Sequence, residues 1–210
     1  MVGIRSTSER REERELVRII GLCGSLRPNG FTKMALSIAL TGAAESGAAT
    51  QLVDLSEYDL PFCNGDGADL YRGSPGVRRL RQIVSEANAV ILATPNYHGT
   101  LSGVLKNALD LMSTREFEGK VVGLIGVSGD RTGGANTLNT LRAIGRTLHA
   151  WVIPSEAWID DAAAAFAANG VLRDDGTTQR VRDVGQKVVR LTQMLASKEA
   201  RQLLQLWENI

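Results

Sequence analysis

From Val17 onward, short apolar runs alternate with amphipathic stretches along the chain. The first run, Val17-Arg18-Ile19-Ile20-Gly21-Leu22-Cys23, is rich in β-branched residues and predicts a strand over 17–23. A helical pattern follows over 31–46, with Met34, Leu36, Ile38, Ala39 and Leu40 apolar, and fades at Gly47. Residues 51–55 predict a second strand. A long connection carrying Pro61, Gly65, Gly67, Gly73 and Pro75 leads into a helix over 75–87. The run 89–94 is apolar throughout, as a parallel strand covered on both faces should be. A helix over 101–113, a strand over 121–127, a helix over 134–148 and a short fifth strand over 151–153 continue the alternation. Five strands separated by helices predict an α/β fold, a parallel doubly wound sheet with right-handed crossovers.

The pattern changes toward the end. Residues 162–168 are alanine-rich and predict a helix closed by Asn169-Gly170, and Asp174-Asp175-Gly176 predicts a turn. Val181, Val184, Val188, Leu191 and Leu195 then recur at three- and four-residue steps, one helix face expected to pack on the sheet. Leu203, Leu204, Leu206 and Trp207 mark a further apolar segment, with a second subunit as a candidate partner. The first 15 residues mix Arg5, Arg10, Arg11 and Arg14 with Glu9, Glu12, Glu13 and Glu15, and a frayed tail is expected there. The expected division is a tail over 1–15, one domain over 16–197 and an extension over 198–210.

Composition narrows the class. At 210 residues, 43% hydrophobic and 22% charged, the chain can bury one full core. A net charge of +1 argues against nucleic acid or an anionic membrane surface as the main partner. No apolar run approaches the roughly 18 residues of a membrane span. No secretory signal pattern is found either, so a cytoplasmic protein without membrane association is the expectation. Cys23 ends a predicted strand and Cys63 lies in a loop; both are expected as reduced thiols, and no metal spacing accompanies them.

The candidate chemistry gathers where predicted strands end. Gly24-Ser25-Leu26-Arg27-Pro28-Asn29-Gly30-Phe31-Thr32 joins the first strand to the first helix. In such a loop free backbone N–H groups and the positive helix end face an anion, and hydroxyls donate to its oxygens. A P-loop needs G-x-x-x-x-G-K-[ST], which neither Gly24…Gly30 nor Gly126…Gly134 supplies, and Gly21-Leu22-Cys23-Gly24 does not give the dinucleotide fingerprint G-x-G-x-x-G. Ser25 and Thr32 remain as hydroxyl donors and Arg27 as a fork for a terminal phosphate, a set that suits a mononucleotide such as FMN. Thr94-Pro95-Asn96-Tyr97-His98-Gly99-Thr100 and Ser128-Gly129-Asp130-Arg131-Thr132-Gly133-Gly134 leave two further strand ends. Ligands of open α/β sheets sit beyond the carboxyl ends of the strands, so the three loops read as one site.

The Gly24-Ser25-Leu26-Arg27 loop, the segment Pro95-Asn96-Tyr97-His98-Gly99…Ser102-Gly103-Val104-Leu105-Lys106-Asn107-Ala108-Leu109-Asp110 and the Gly129…Gly133-Gly134 loop resemble the NADPH-dependent FMN reductase family, with azo, quinone and chromate reductases nearby. The resemblance implies a flavodoxin-like three-layer α/β/α fold with five parallel strands in the order 2-1-3-4-5. It implies that Ser25, Arg27, Asn29 and Thr32 hold the FMN phosphate and that Pro95, Asn96, Tyr97, His98 and Gly99 pass along the isoalloxazine. Ser128, Gly129, Asp130, Gly133 and Gly134 would close the other edge, although Asp130 stands where many relatives have Gly. Backbone N–H groups near the flavin's N1–O2 region would stabilise negative charge while the flavin performs the hydride chemistry, so no catalytic side chain is assigned. NADPH or NADH as co-substrate, a small-molecule electron acceptor, no metal, and a homodimer or homotetramer with the flavin near the interface complete what the resemblance implies.

Single residues carry two readings each. His98 and Tyr97 are either ring contacts or, respectively, a solvated loop residue and a packing residue. Asp54 stands where a dinucleotide site places a ribose ligand, but without the fingerprint it reads as a cap or loop acid. Arg131 is a surface charge or a partner for the NADPH 2′-phosphate. The helix over 101–113 carries Leu101, Val104, Leu105, Ala108, Leu109 and Met112, more than one sheet-facing side requires, with Lys106 and Asp110 placed to pair within the helix or across a two-fold axis. It is expected to face a neighbouring subunit.

Three functions compete. In the leading one NAD(P)H reduces bound FMN, and electrons pass on to free flavin, a quinone, an azo compound or oxygen. A flavodoxin-type carrier would present a strongly acidic face and clamp the ring between large aromatics, whereas 23 acids meet 24 bases and the second loop offers one aromatic, Tyr97. A module that has lost its cofactor fits poorly with an intact phosphate loop.

Overall fold

The computed structural model describes residues 16–65, 73–131 and 134–208. The expectations for 1–15, Gly67, Thr132 and Gly133, and for the side chain of Trp207, lie outside the described residues. Its strands are β1 (Arg18–Cys23), β2 (Ala49–Asp54), β3 (Ala89–Tyr97), β4 (Thr100–Leu101), β5 (Val121–Val127) and β6 (Trp151–Ile159). Its helices are α1 (Phe31–Glu45), α2 (Pro75–Glu86), α3 (Gly103–Asp110), α4 (Thr114–Phe117), α5 (Ala135–Thr147), α6 (Ala162–Ala165), α7 (Asp175–Leu195) and α8 (Lys198–Glu208). The parallel strands stand in the order β2-β1-β3-β5-β6. With the two-residue β4 set aside, antiparallel on the end of β3, this is the expected 2-1-3-4-5 order.

Strand alternation divides the core into two layers. Ile19, Cys23, Ile91 and Ile125 pack with Leu36 and Ala39 of α1 and with Val181, Val184 and Val188 of α7. Their neighbours Ile20, Leu22, Val90, Leu92, Val122 and Leu124 pack with residues of α2, α3 and α5 on the other face. Burial on both faces is why the central strands carry no polar alternation. On the first face α1 and α7 touch backbone to backbone. A Cβ on Gly185 would lie 1.9 Å from the carbonyl oxygen of Ala39, and one on Gly42 would lie 2.4 Å from that of Arg182.

Four expectations are corrected. The fifth parallel strand runs nine residues, not three. A bulge hides its periodicity, since Val122 and Leu124 of β5 face Val152 and Glu156 of β6. Arg142 of α5 donates to the Ile153 carbonyl at 2.9 Å and pairs with Glu156 at 2.5 Å, which holds the bulge. The helix expected over 101–113 is shorter: Leu101 belongs to β4, and Ser102 caps α3 by accepting the Leu105 N–H at 3.2 Å. Ser113 and Glu116 then form a capping box that opens α4. The alanine helix is one turn, because Phe166 leaves it to bridge Leu172 and to stack on Phe31 at 5.2 Å.

The wide apolar set of α3 is the fourth. Leu101, Leu105, Ala108, Leu109 and Met112 are buried in the chain's own core with Val104 packed against it, and Lys106 pairs with Asp110 inside the helix at 2.7 Å. The side-chain reason for placing a subunit neighbour on α3 therefore disappears. Large apolar side chains do stand exposed elsewhere, with Leu203 and Leu206 of α8 at 67% and 66%. Among the described residues no helix is long and apolar enough to cross a membrane.

Candidate functional site

The carboxyl ends of β1, β3 and β5 open into one cavity of about 510 Å³. Ser25, Arg27, Asn29 and Thr32 line its first wall, Pro95, Asn96 and Tyr97 its second, and Ser128, Gly129 and Asp130 its third. His98, Gly99 and Gly134 do not line it. Phe31, Ala162 and Ala163 do, and were not foreseen. The two alanines follow the underestimated end of β6, and only the full length of that strand brings them to the site.

The first wall is built to meet an anion. Gly30 N–H donates to the Arg27 carbonyl at 3.1 Å and closes the loop, while the Ser25 hydroxyl accepts the Arg27 N–H at 3.3 Å. Asn29 takes φ 53°, a left-handed value Asn tolerates better than most residues. Helix α1 begins on Gly30 with no capping side chain and no acid in its first turn, so its leading N–H groups face the cavity without a side-chain acceptor. Ser25 and Thr32 are 6% and 3% exposed. Among the described residues neither the Thr32 hydroxyl nor the Arg27 guanidinium has a partner within the chain. A buried hydroxyl, a guanidinium fork and a bare helix end facing one space fit a phosphate.

Behind this wall Lys33 of α1 pairs with Asp54 at the end of β2 at 2.6 Å, and the Ser56 N–H and hydroxyl donate to the same carboxylate at 3.0 and 2.7 Å. Asp54 is thus the cap of a single 3-10 turn, Leu55–Glu57. Burial raises its carboxyl pKa, but the bonds from Lys33 and Ser56 outweigh that and hold it below the usual value. The bond to Asp54 correspondingly raises Lys33. Burial pushes the neighbouring Cys23 thiol up.

The second wall rests on long-range bonds. His98 and Gly99 form the two-residue turn between β3 and β4 with φ 53° and 85°, the double positive φ of a type I′ hairpin. His98 therefore sits at the turn tip, outside the cavity lining. Asn136 of α5 donates to the Gly99 carbonyl at 2.7 Å, and the buried Thr137 hydroxyl donates to Asn96 Oδ1 at 3.0 Å. With that oxygen taken, the Asn96 amide N–H groups remain as donors on the cavity side. Ser102 ties the walls together. Its hydroxyl donates to the Gly24 carbonyl at 2.6 Å, and its N–H donates to Thr94 Oγ1 at 3.0 Å.

In the third wall Asp130 turns back on its own loop: the Ser128 hydroxyl donates to it at 2.8 Å, and the Asp130 N–H returns to that hydroxyl at 3.3 Å. Gly134 packs beneath the indole of Trp158, where a Cβ would fall 1.7 Å from the ring. It is a close-approach glycine rather than a lining residue. Among the described residues Asp130 is the one carboxylate lining the cavity, and they hold no group of three metal-ligating side chains.

A cavity at the carboxyl ends of a parallel sheet in the order 2-1-3-4-5 is the arrangement of the flavodoxin-like fold. The model of the NADPH-dependent FMN reductase family matches residues 17–165. The chain belongs to that family, and with it to the FMN- and NAD(P)H-dependent oxidoreductases. It is 35% identical over 164 residues to an NAD(P)H-dependent FMN reductase of Pseudomonas aeruginosa, covering 76% of this chain and 86% of that protein. It is 39% identical over 110 residues to an NADPH azoreductase of a Bacillus strain, a match that spans 52% of this chain and 61% of the relative. Among solved structures its fold is similar to FerB, a flavoenzyme NAD(P)H:(acceptor) oxidoreductase of Paracoccus denitrificans, with a TM-score of 0.70 at 23% identity, covering 85% of this chain and 98% of that one.

Proposed function

We propose that the chain binds FMN in the 510 Å³ cavity and catalyses electron transfer from NAD(P)H to free flavin, a quinone, an azo compound or oxygen. The observation that carries the reading is the Thr32 hydroxyl and the Arg27 guanidinium, without partners among the described residues, at the bare N-terminus of α1. Ser25, Arg27, Asn29 and Thr32 hold the phosphate. Pro95, Asn96 and Tyr97 lie along the ring, and Ser128, Gly129 and Asp130 close its other edge. His98 and Gly99 shape the hairpin that presents this wall, and Gly134 seats Trp158 behind the third.

Bound FMN supplies the hydride and electron transfer. The chain binds it, orients it with backbone and amide donors, and shields one side from water. We place the protein in the cytoplasm, with a small molecule as electron acceptor and no nucleic acid, membrane or metal partner. We also propose a homodimer or homotetramer, now supported by the exposed Met194, Leu203 and Leu206 of α7 and α8 rather than by α3. Light scattering of the FMN-loaded protein tests the assembly.

The function is tested by purifying the protein, recording its flavin spectrum and following steady-state kinetics with both nicotinamides. A ping-pong pattern is expected, and Tyr97→Ala or His98→Ala should change the rate by less than about a hundred-fold. Complete loss of activity in His98→Ala with FMN still bound would point instead to an essential side-chain acid.

A further inference from the structure

Beside the cofactor cavity lies a second groove of about 530 Å³ that a flavin in the first does not use. Its floor is hydrogen-bonded to the cavity's third wall. Asp161 N–H donates to the Asp130 carbonyl at 3.1 Å and Ala162 N–H to the Ser128 carbonyl at 2.9 Å. Ala162 and Ala163 face the cavity, while Ala164 and Ala165 face the groove, a step of about 3 Å along the helix axis. A ligand that begins over the cavity reaches the groove by crossing one turn.

Three arginines from separate elements meet in the groove: Arg131 after β5, Arg173 before α7 and Arg180 on α7. Three aspartates also line it, so it is formally neutral, and each has a donor or an arginine of the chain beside it. Asp160 accepts the Trp158 indole N–H at 2.5 Å, and Asp174 caps α7 by accepting the Thr177 N–H at 2.6 Å. Asp161 is approached by Arg131 at 3.5 Å, a loose contact on an arginine side chain that is 84% exposed. Arg180 reaches a neutral hydroxyl, that of Thr177, at 2.5 Å. Arg173 has no side-chain partner among the described residues. Arg173 is therefore the guanidinium without a carboxylate among the described residues, flanked by Arg131 with its loose contact to Asp161 and by Arg180 near Asp174, beside an indole whose N–H is satisfied.

We propose that this groove takes the adenosine end of the nicotinamide nucleotide, with Arg131, Arg173 and Arg180 around the 2′-phosphate of NADPH, and that it sets the preference for NADPH over NADH. The assignment rests on the reading that the chain oxidises NAD(P)H over bound FMN. Charge-assisted, bidentate contacts to a phosphate dianion are what NADH cannot make.

The test uses the FMN-loaded protein and titrates 2′,5′-ADP and 5′-AMP by calorimetry, in the wild type and in the double variant Arg173→Ala/Arg180→Ala. The wild type should bind 2′,5′-ADP roughly ten- to a hundred-fold more tightly than 5′-AMP, and the variant should lose that difference. In kinetics the variant's KM for NADPH should rise by a similar factor, while its KM for NADH and its FMN content stay unchanged. Arg173→Glu alone, at a side chain with no partner among the described residues, should reproduce the effect in a folded protein. Equal binding of the two nucleotides by the wild type, or an unchanged difference in the folded variants, overturns the groove assignment. Tight, arginine-dependent 2′,5′-ADP binding without NADPH oxidation would retain the groove and remove the reductase reading.

Discussion

The two sides of the cavity are made differently. On the β1–α1 side one short segment supplies everything: Ser25, Arg27, Asn29 and Thr32 lie within eight residues, and the backbone bond that closes the loop joins Gly30 to Arg27. On the β3–β5 side the lining residues are held from far along the chain. Asn96 is fixed by Thr137, the Gly99 carbonyl by Asn136, and the third wall by Asp161 and Ala162. The first side is local chemistry pointed at a charge. The second is a surface shaped by packing, where a change far from the cavity should act on it.

The largest expected effect is on the packed side. Gly134→Ala drives a Cβ into the Trp158 ring, and overpacking of this kind costs about 3 kcal/mol at its upper end. A thermal melt should show a Tm lower by several degrees, with FMN affinity reduced as the third wall shifts. An unchanged Tm would mean the indole yields freely and the wall is not rigid.

Next comes Arg27→Ala on the local side. Loss of a charge-assisted contact is worth about 1.5–3 kcal/mol, so FMN should bind roughly ten- to a hundred-fold more weakly. Riboflavin, which lacks the phosphate, should lose little, and the Tm of the apoprotein should hold because the guanidinium has no partner among the described residues. Equal losses for the two ligands would show that Arg27 does not read phosphate.

Thr137→Val sharpens the contrast at a smaller scale. It removes the donor to Asn96 Oδ1 at a fully buried position and should cost about 1 kcal/mol of stability. FMN and riboflavin should weaken together, by a few-fold, because the ring wall rather than the phosphate is disturbed, and Thr137→Ser should restore both. A phosphate-dependent loss would contradict the division of the site into two sides.

The smallest effect is a pH dependence behind the first wall. The folded Asp54 carboxyl lies below its unfolded value of about 3.9, so the stabilisation from Lys33 and Ser56 is present above that pH and is lost as pH falls through the lower folded value. Lys33 is 37% exposed, so the pair contributes less than about 1 kcal/mol. Urea midpoints measured down the acid limb should fall less steeply in Asp54→Asn than in the wild type. Parallel acid limbs would assign the acid sensitivity elsewhere.

How much of this was legible follows the same division. That Ser25, Arg27, Asn29 and Thr32 share one wall was readable because they are contiguous in one strand-to-helix loop. The strand order needed the resemblance, since alternation of strands and helices predicts a parallel sheet but not which strands are neighbours. The hairpin at His98-Gly99 went unread because its turn carries His where Asn or Asp gives the usual signal. The capping signals at Ser102 and at Ser113 with Glu116 were present in the sequence and would have divided the helix over 101–113 correctly.

The order of residues by itself determined the two-faced apolar strands, the helix faces that cover them and the glycine- and hydroxyl-bearing loop between β1 and α1, because each depends on neighbours a few positions away. Tertiary structure alone decided that β6 runs past its bulge, that Ala162 and Ala163 reach the cavity, that His98 stays out of it and that Gly134 lies beneath an indole. It also buried most of the apolar set of α3 inside the chain's own core. Those outcomes depend on what stands opposite each residue across the sheet, and periodicity along the chain specifies that a side is covered without specifying by what.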